Sequence, residues 1–141
     1  MATVNLNAST RFNASRFMEK QLLDHFFRGQ NIPSPQLFLA LYISDPTDED
    51  IVTEVQGGAY ARRPVSFSEP VHVNDKTSIV NDLEVRFPTA SADWGMISHW
   101  GIRTAAVGGE LLVHAAVPVP KLIENQDEAK FNAGTITISA D

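Results

Sequence analysis

Two extended runs joined by a glycine-bearing connection stand out in the pattern of hydrophobic and polar positions. Residues 96–104 alternate between two faces, and residues 110–117 form a second extended run. The connection between them ends in a pair of glycines at 108–109. This pattern predicts a β-hairpin. Because Trp94 and Trp100 supply large apolar surfaces, we expect the hairpin to line the core.

The only strong helical pattern covers residues 15–28. Its apolar positions are three or four residues apart, as on one side of a helix: Phe17, Met18, Leu22, Leu23, Phe26 and Phe27. Asn13 or Ser15 can cap the first turn, and Gly29 suits the left-handed position after the last. So wide an apolar face must lie against something. It packs either on the chain's own sheet or on a neighbouring subunit.

Six further strands are predicted, at 37–44, 60–67, 71–75, 79–87, 129–131 and 135–140. The run 37–44 is apolar on both faces, so we expect one face in the core and the other beneath the helix. Pro64 places its strand at a sheet edge. The fold class predicted is mainly β, a β-sandwich or jelly-roll-like domain of about 7–8 strands with one N-terminal α-helix.

Length and composition indicate a single domain. The chain has 141 residues, of which 43% are hydrophobic and 20% charged, as in an ordinary globular protein. Residues 1–14 are polar and small, so we expect a flexible or partner-ordered arm there. The domain is then 15–141, with its leading helix at 15–28.

The charge balance argues against two classes of partner. Lysine and arginine total 11 against 17 acidic residues, a net charge of −6. Binding to nucleic acid or to an anionic membrane surface needs clustered positive charge, so neither partner is expected. The sequence also lacks a signal-peptide pattern and a membrane-spanning apolar run. We therefore expect a soluble protein made in a cytoplasm.

Candidate chemistry is sparse, and no cofactor or metal is expected. The acidic stretch 45–54 lacks the residue order and central glycine of an EF-hand, so a solvated turn is the default and another type of calcium loop the alternative. No cysteine is present, and the four histidines lack metal-ligand spacing. The two carboxylates of a glycan hydrolase are brought together by the fold and need no particular spacing in the sequence. A glycan-degrading enzyme therefore remains an alternative. The ring of Tyr60 or Trp94 could form the base of a sugar-binding site.

Five segments together resemble one protein family. They are LALYISDP at 39–46, TEVQGGAYARRPVSF at 53–67, VRFPTASADWGMISHWGIRTAAVGGELLVH at 85–114, PK at 120–121 and KFNAGTITIS at 130–139. In this order they are similar to small virion proteins of tailed bacteriophages, usually labelled tail fibre proteins, with others labelled head fibre or capsid decoration proteins. The resemblance covers about residues 15–141 and brings no catalytic residues with it.

The resemblance implies a non-enzymatic structural protein located in the virion. Its expected partners are other virion proteins of the capsid, neck or tail, together with further copies of itself, and we favour a trimer. The residues expected to make these contacts are Phe12 in the arm, Phe17, Leu22 and Phe26 on the helix, and Asp48 and Asp50 in the acidic stretch. The alternative functions are a receptor- or glycan-binding fibre tip and a glycan-degrading virion enzyme.

Overall fold

The computed structural model describes residues 2–11 and 13–140, and this part of the chain forms one helix and eleven strands. The elements, in chain order, are β1 (Thr3–Asn5), β2 (Ala8–Arg11), α1 (Arg16–Arg28), β3 (Leu37–Tyr42), β4 (Arg63–Val65), β5 (Val71–Val73), β6 (Lys76–Val80), β7 (Val85–Arg86), β8 (Gly95–Arg103), β9 (Leu111–Ile123), β10 (Glu128–Phe131) and β11 (Ile136–Ala140).

The strands form three sheets, with strand orders β1-β10-β7, β2-β11-β6-β5 and β4-β3-β8-β9. The predicted hairpin is confirmed as the antiparallel pair β8–β9. Pro64 lies in the edge strand β4, as its missing N–H requires. The predicted fold class, mainly β and sandwich-like with an N-terminal helix, is confirmed. The core between the sheets includes fully buried Trp100, Phe87 and Phe131.

The N-terminal segment, for which the sequence predicts a flexible or partner-ordered arm, contributes two strands to the sheets of the domain. Strand β1 pairs in parallel with β10, and β2 pairs in parallel with β11. Leu6 and Ala8 are buried in the core, and the Leu6 N–H donates to the Lys130 carbonyl at 2.8 Å. Val4, Leu6 and Ala8 alternate with polar neighbours, which is the period of a half-buried strand. The overall polarity of the segment concealed that alternation.

The predicted strand 79–87 is wrong as a single element. It divides into β6 and β7 because Asn81, between them, is buried. Its Nδ2 donates to the carbonyls of Leu83 at 2.9 Å and Asn132 at 3.0 Å, and its Oδ1 accepts from the Ile136 N–H at 2.8 Å. The side-chain amide of Asn81 therefore makes hydrogen bonds that a neighbouring strand would make in a continuous sheet. The apolar side chain of Leu83, between β6 and β7, is exposed.

The β8–β9 pair contains an irregularity that changes which residues face the core. Ile97 stands opposite Lys121 and His99 opposite Ala116, so one residue of β8 faces the four residues 117–120 of β9. This β9 segment includes two prolines, which cannot donate to a ladder. As a result Ile97 is in the core, whereas Met96, expected to share the face of Trp100, is half exposed.

The helix begins and ends where the sequence predicts. The Ser15 side chain accepts from the Met18 N–H at 3.1 Å, and Gly29 adopts a left-handed φ of +73°. The second face of β3, however, is not beneath the helix. Tyr42 on that face contacts Arg103, which is held by the acidic stretch. Since no residue of α1 is buried, much of its apolar surface is unused within the chain.

Candidate assembly surfaces

A groove of about 460 Å³ runs between α1 and the body of the domain. Its helical wall includes Phe17, Met18 and Leu22, and its remaining surface is formed by the loop after the helix and by residues of the sheet: Ile32, Pro33, Ser34, Pro35, Leu37, Thr104 and Leu112. The prolines keep the loop extended, because each fixes its own φ and restricts the preceding residue. We call this surface the helix groove.

The opposite side of α1 is also apolar and faces solvent. Leu23 is 59% exposed, Phe26 71% and Phe27 81%. At 100° per residue, the side chains of Leu23 and Phe27 lie nearly half a turn from the centre of the groove wall, and that of Phe26 lies a little more than a quarter of a turn from it. Large apolar side chains clustered on a surface are typical of interaction sites. We call these three residues the outward stripe.

The candidate contact residues of the helix therefore divide between two surfaces. Phe17 and Leu22 line the helix groove, whereas Phe26 belongs to the outward stripe. Phe12 lies outside the described residues. The sequence identified the helix but not the second wall of the groove. The signal for that wall in the sequence is the pair of prolines at 33 and 35.

The acidic stretch is tied to the domain by hydrogen bonds of its carboxylates. Asp50 accepts two hydrogen bonds from Arg103, from Nη1 at 2.7 Å and from Nη2 at 2.9 Å. Arg103 is buried and also donates to the Tyr42 hydroxyl at 3.1 Å. Burial opposes the charge of Arg103, but its bonds to Asp50 and Tyr42 outweigh that effect and raise its pKa. Asp50 is thus committed to an internal ion pair.

Asp48 also has internal partners. Its Oδ1 lies 2.7 Å from Nε2 of buried His114, and its carbonyl accepts from the Arg16 N–H at 3.2 Å. The next residue, Glu49, pairs with the Arg16 guanidinium at 2.6 Å. These contacts attach the acidic stretch to the first turn of α1. Within residues 2–11 and 13–140, no group of three or more ligand side chains is placed to hold a metal ion.

The two aromatic residues considered for a sugar site are part of the interior. Trp94 is buried, and its Nε1 donates to the Gly58 carbonyl at 2.8 Å. The Tyr60 hydroxyl donates to Glu54 at 2.6 Å, and burial is the main cause of a strongly raised pKa for this group. The two rings meet edge to face at 5.4 Å. Neither ring offers an open platform for stacking a sugar.

Comparison with protein families shows what kind of protein carries the helix groove and the outward stripe. The model of the family described as Podophage GP4 fiber I protein gp80 matches residues 13–139. The chain belongs to this family. The match to the podophage fibre family extends from the residues before α1 into β11 and includes both helix surfaces. No curated protein matches the chain.

Membership of the podophage fibre family confirms the resemblance to tailed-phage virion proteins. It supports a structural component of the virion and a location in the particle. Of the labels suggested by the resemblance, fibre protein is the one that the family carries. Within the described residues, no helix combines the length and hydropathy needed to cross a bilayer.

Proposed function

We propose that this fibre protein is a non-enzymatic part of the virion, built into the particle by protein–protein contacts on the tail, neck or capsid. We further propose that its copies associate with one another, and we favour a trimer. The observation that carries the proposal is the outward stripe: a member of a fibre family keeps two phenylalanines more than two-thirds exposed on a helix.

Burial of that stripe would favour assembly. Moving one Phe or Leu side chain from water into an interface contributes about 1.5–3 kcal/mol before entropy is subtracted. Within its own chain, the helix obtains little of this free energy from Leu23, Phe26 and Phe27. A partner that covers them therefore supplies stabilisation that the isolated domain lacks.

The helix is also held in place before any partner arrives. The Ser15 hydroxyl donates to the Leu111 carbonyl, and the Ser15 N–H donates to the Leu112 carbonyl at 2.7 Å. Arg16 is tied to the acidic stretch through its backbone and its side chain. Because the first turn is fixed on the sheet, presenting the stripe costs little ordering entropy on binding.

The rival functions have less support. A glycan-binding tip built on Tyr60 or Trp94 would need an exposed ring, and both take part in the packed interior. A glycosidase needs two carboxylates about 5–10 Å apart in a cleft. The helix groove, the larger of the two described clefts, is lined by no aspartate or glutamate. The net charge of −6 supports the expectation that nucleic acid is not a direct partner.

Complementation of the phage tests the proposal. Particles are produced in cells that supply either the wild-type protein or the double variant Phe26→Ser, Phe27→Ser, and the copies per purified particle are measured by immunoblot. We expect incorporation of the variant to fall at least about tenfold, which corresponds to about 1.4 kcal/mol of lost contact free energy. Unchanged circular dichroism should show that the fold is intact.

The matched control is Val107→Ser. Val107 is a highly exposed apolar residue in the turn between β8 and β9 and belongs neither to the outward stripe nor to the lining of the helix groove, so its replacement should leave incorporation unchanged. Full incorporation of the Phe26/Phe27 double variant would reject the helix as an assembly surface. Absence of the wild-type protein from purified particles would reject the proposed function itself.

A further inference from the structure

The two helix surfaces complement each other in shape and polarity. The outward stripe projects from one side of α1, and the helix groove lies on the other side. We propose that the outward stripe of one copy inserts into the helix groove of a second copy. The inference rests on the proposed self-association and specifies the two surfaces that meet.

The groove is large enough for the rings that would enter it. An apolar cavity of about 150 Å³ holds one benzene ring, so two phenyl rings need about 300 Å³. The helix groove provides about 460 Å³. Its walls include Phe17, Leu22 and Leu37, which are suitable contacts for the rings of Phe26 and Phe27.

The charges around the two surfaces also permit this contact. Two copies that each carry a net charge of −6 repel wherever carboxylates face each other. The groove lining contains no carboxylate, so insertion there avoids that repulsion. Arg28 follows Phe27 at the end of the helix. Glu110 is exposed beside the groove residue Thr104, to whose hydroxyl its N–H donates at 2.9 Å. The Arg28 guanidinium also lies 3.7 Å from the Asp24 carboxylate of its own helix.

The area involved favours a closed ring over an isolated dimer. A fully exposed Phe presents about 150–250 Å², so the stripe offers about 400 Å² and one contact buries about 800 Å² over both partners. A specific interface usually exceeds about 1,000 Å². Because stripe and groove are different surfaces, the contact is head to tail, and each copy in a closed ring makes two such contacts.

Cysteine cross-linking tests the pairing directly, because the natural chain has no cysteine. Phe27→Cys marks the stripe, and Ser34→Cys marks the exposed rim of the groove. Each variant and their equimolar mixture are oxidised as purified full-length protein and within assembled particles, then separated on non-reducing gels. We expect a cross-linked dimer in the mixture and little product from either variant alone. The protein carrying both cysteines should form multi-copy products.

A mixture of Phe27→Cys with Glu69→Cys is the control, since Glu69 is an exposed residue just before β5 and outside the groove. It should give no more dimer than background. Efficient cross-linking of Phe27→Cys with itself would overturn the head-to-tail contact in favour of a two-fold one. Absence of dimer from the Phe27→Cys and Ser34→Cys mixture, in solution and in particles, would also overturn it. Normal incorporation of both variants in that case would leave the virion role standing.

Discussion

A single buried amide, that of Asn81, joins three segments of the chain. It links the end of β6 to the Leu83 carbonyl, to the turn at Asn132 and to the start of β11. Each of these hydrogen bonds satisfies a backbone group close to the core. Burying a donor or acceptor without a partner costs about 1–3 kcal/mol. The Asn81 amide therefore contributes more to the stability of the fold than its size suggests.

Replacing Asn81 should therefore be costly. We expect Asn81→Ala to lower the free energy of unfolding by about 3 kcal/mol, because the Ile136 N–H and two carbonyls lose their partner. Urea denaturation followed by tryptophan fluorescence measures the change. Asn132→Ala is the control, since the Asn132 side chain is exposed and its backbone contacts remain. Equal stability of the two variants would contradict the structural role of the Asn81 amide.

The tyrosines make stability depend on alkaline pH. Burial raises the pKa of Tyr42 to about 12, even though the hydrogen bond from Arg103 lowers it, and burial also raises the pKa of Tyr60. In the unfolded chain both phenols titrate near pH 10. Above that pH the unfolded state binds fewer protons than the folded state, so rising pH favours unfolding. The stabilisation is complete below about pH 10 and is lost as pH rises towards 12.

We expect the free energy of unfolding to fall by up to about 1.4 kcal/mol per pH unit for each tyrosine above pH 10. Urea titrations at a series of pH values measure the slope, and ultraviolet absorbance of the phenolate follows ionisation. Tyr42→Phe should make the slope shallower, because one of the two tyrosines is removed. Phenolate appearing near pH 10 in the folded protein would show that these hydroxyls are not buried as described.

At the scale of elements, the acidic stretch lies across the outer face of β3 and β8 and is held there by ion pairs. The ion pair between Asp50 and Arg103 is largely buried, whereas the neighbouring pair of Glu49 and Arg16 is exposed. Removing one partner from a buried pair leaves an uncompensated charge. Exposed pairs contribute little because water and salt screen them.

This contrast provides a matched pair of variants. We expect Asp50→Ala to destabilise the fold by about 3 kcal/mol, since Arg103 loses both bonds from its guanidinium to the carboxylate. Glu49→Ala should cost less than about 1 kcal/mol. Denaturant midpoints at neutral pH compare them. If the two losses were similar, the acidic stretch would be an ordinary solvated turn, as the sequence first indicated.

The N-terminal strands give a second prediction about elements. Leu6 is buried between β1 and β2, so Leu6→Ala should cost about 2–4 kcal/mol by lost burial and the cavity left behind. Asn7→Ala, at an exposed neighbouring position, should be almost neutral. Thermal unfolding monitored by circular dichroism compares the two variants. No loss of stability in Leu6→Ala would support the flexible or partner-ordered arm that the sequence predicts.

How far the sequence predicted these elements depended on whether the deciding interaction was local. The caps at Ser15 and Gly29 and the pairing of β8 with β9 follow from neighbouring residues, and the structure confirms them. The break at Asn81 depends on partners about fifty residues away in the chain. Strand β1 similarly depends on β10, a distant partner that its polar sequence does not reveal.

At the scale of the whole molecule, the N-terminal segment and the C-terminal strands close the fold together. β1 and β2 lie parallel to β10 and β11, so the first and last parts of the described chain stabilise each other. The helix projects beside this closed body with apolar surfaces on two sides. The sequence indicated the apolar width of α1, but the groove required knowledge of where β9 and the proline-containing loop lie.

Cryo-electron microscopy of purified phage particles tests the central proposal most directly. We expect density for this β-sandwich on the tail, neck or capsid of the particle, with Phe26 and Phe27 buried against a neighbouring subunit. Particles that lack the protein, or that hold it with the outward stripe facing solvent in every copy, would contradict the proposed function.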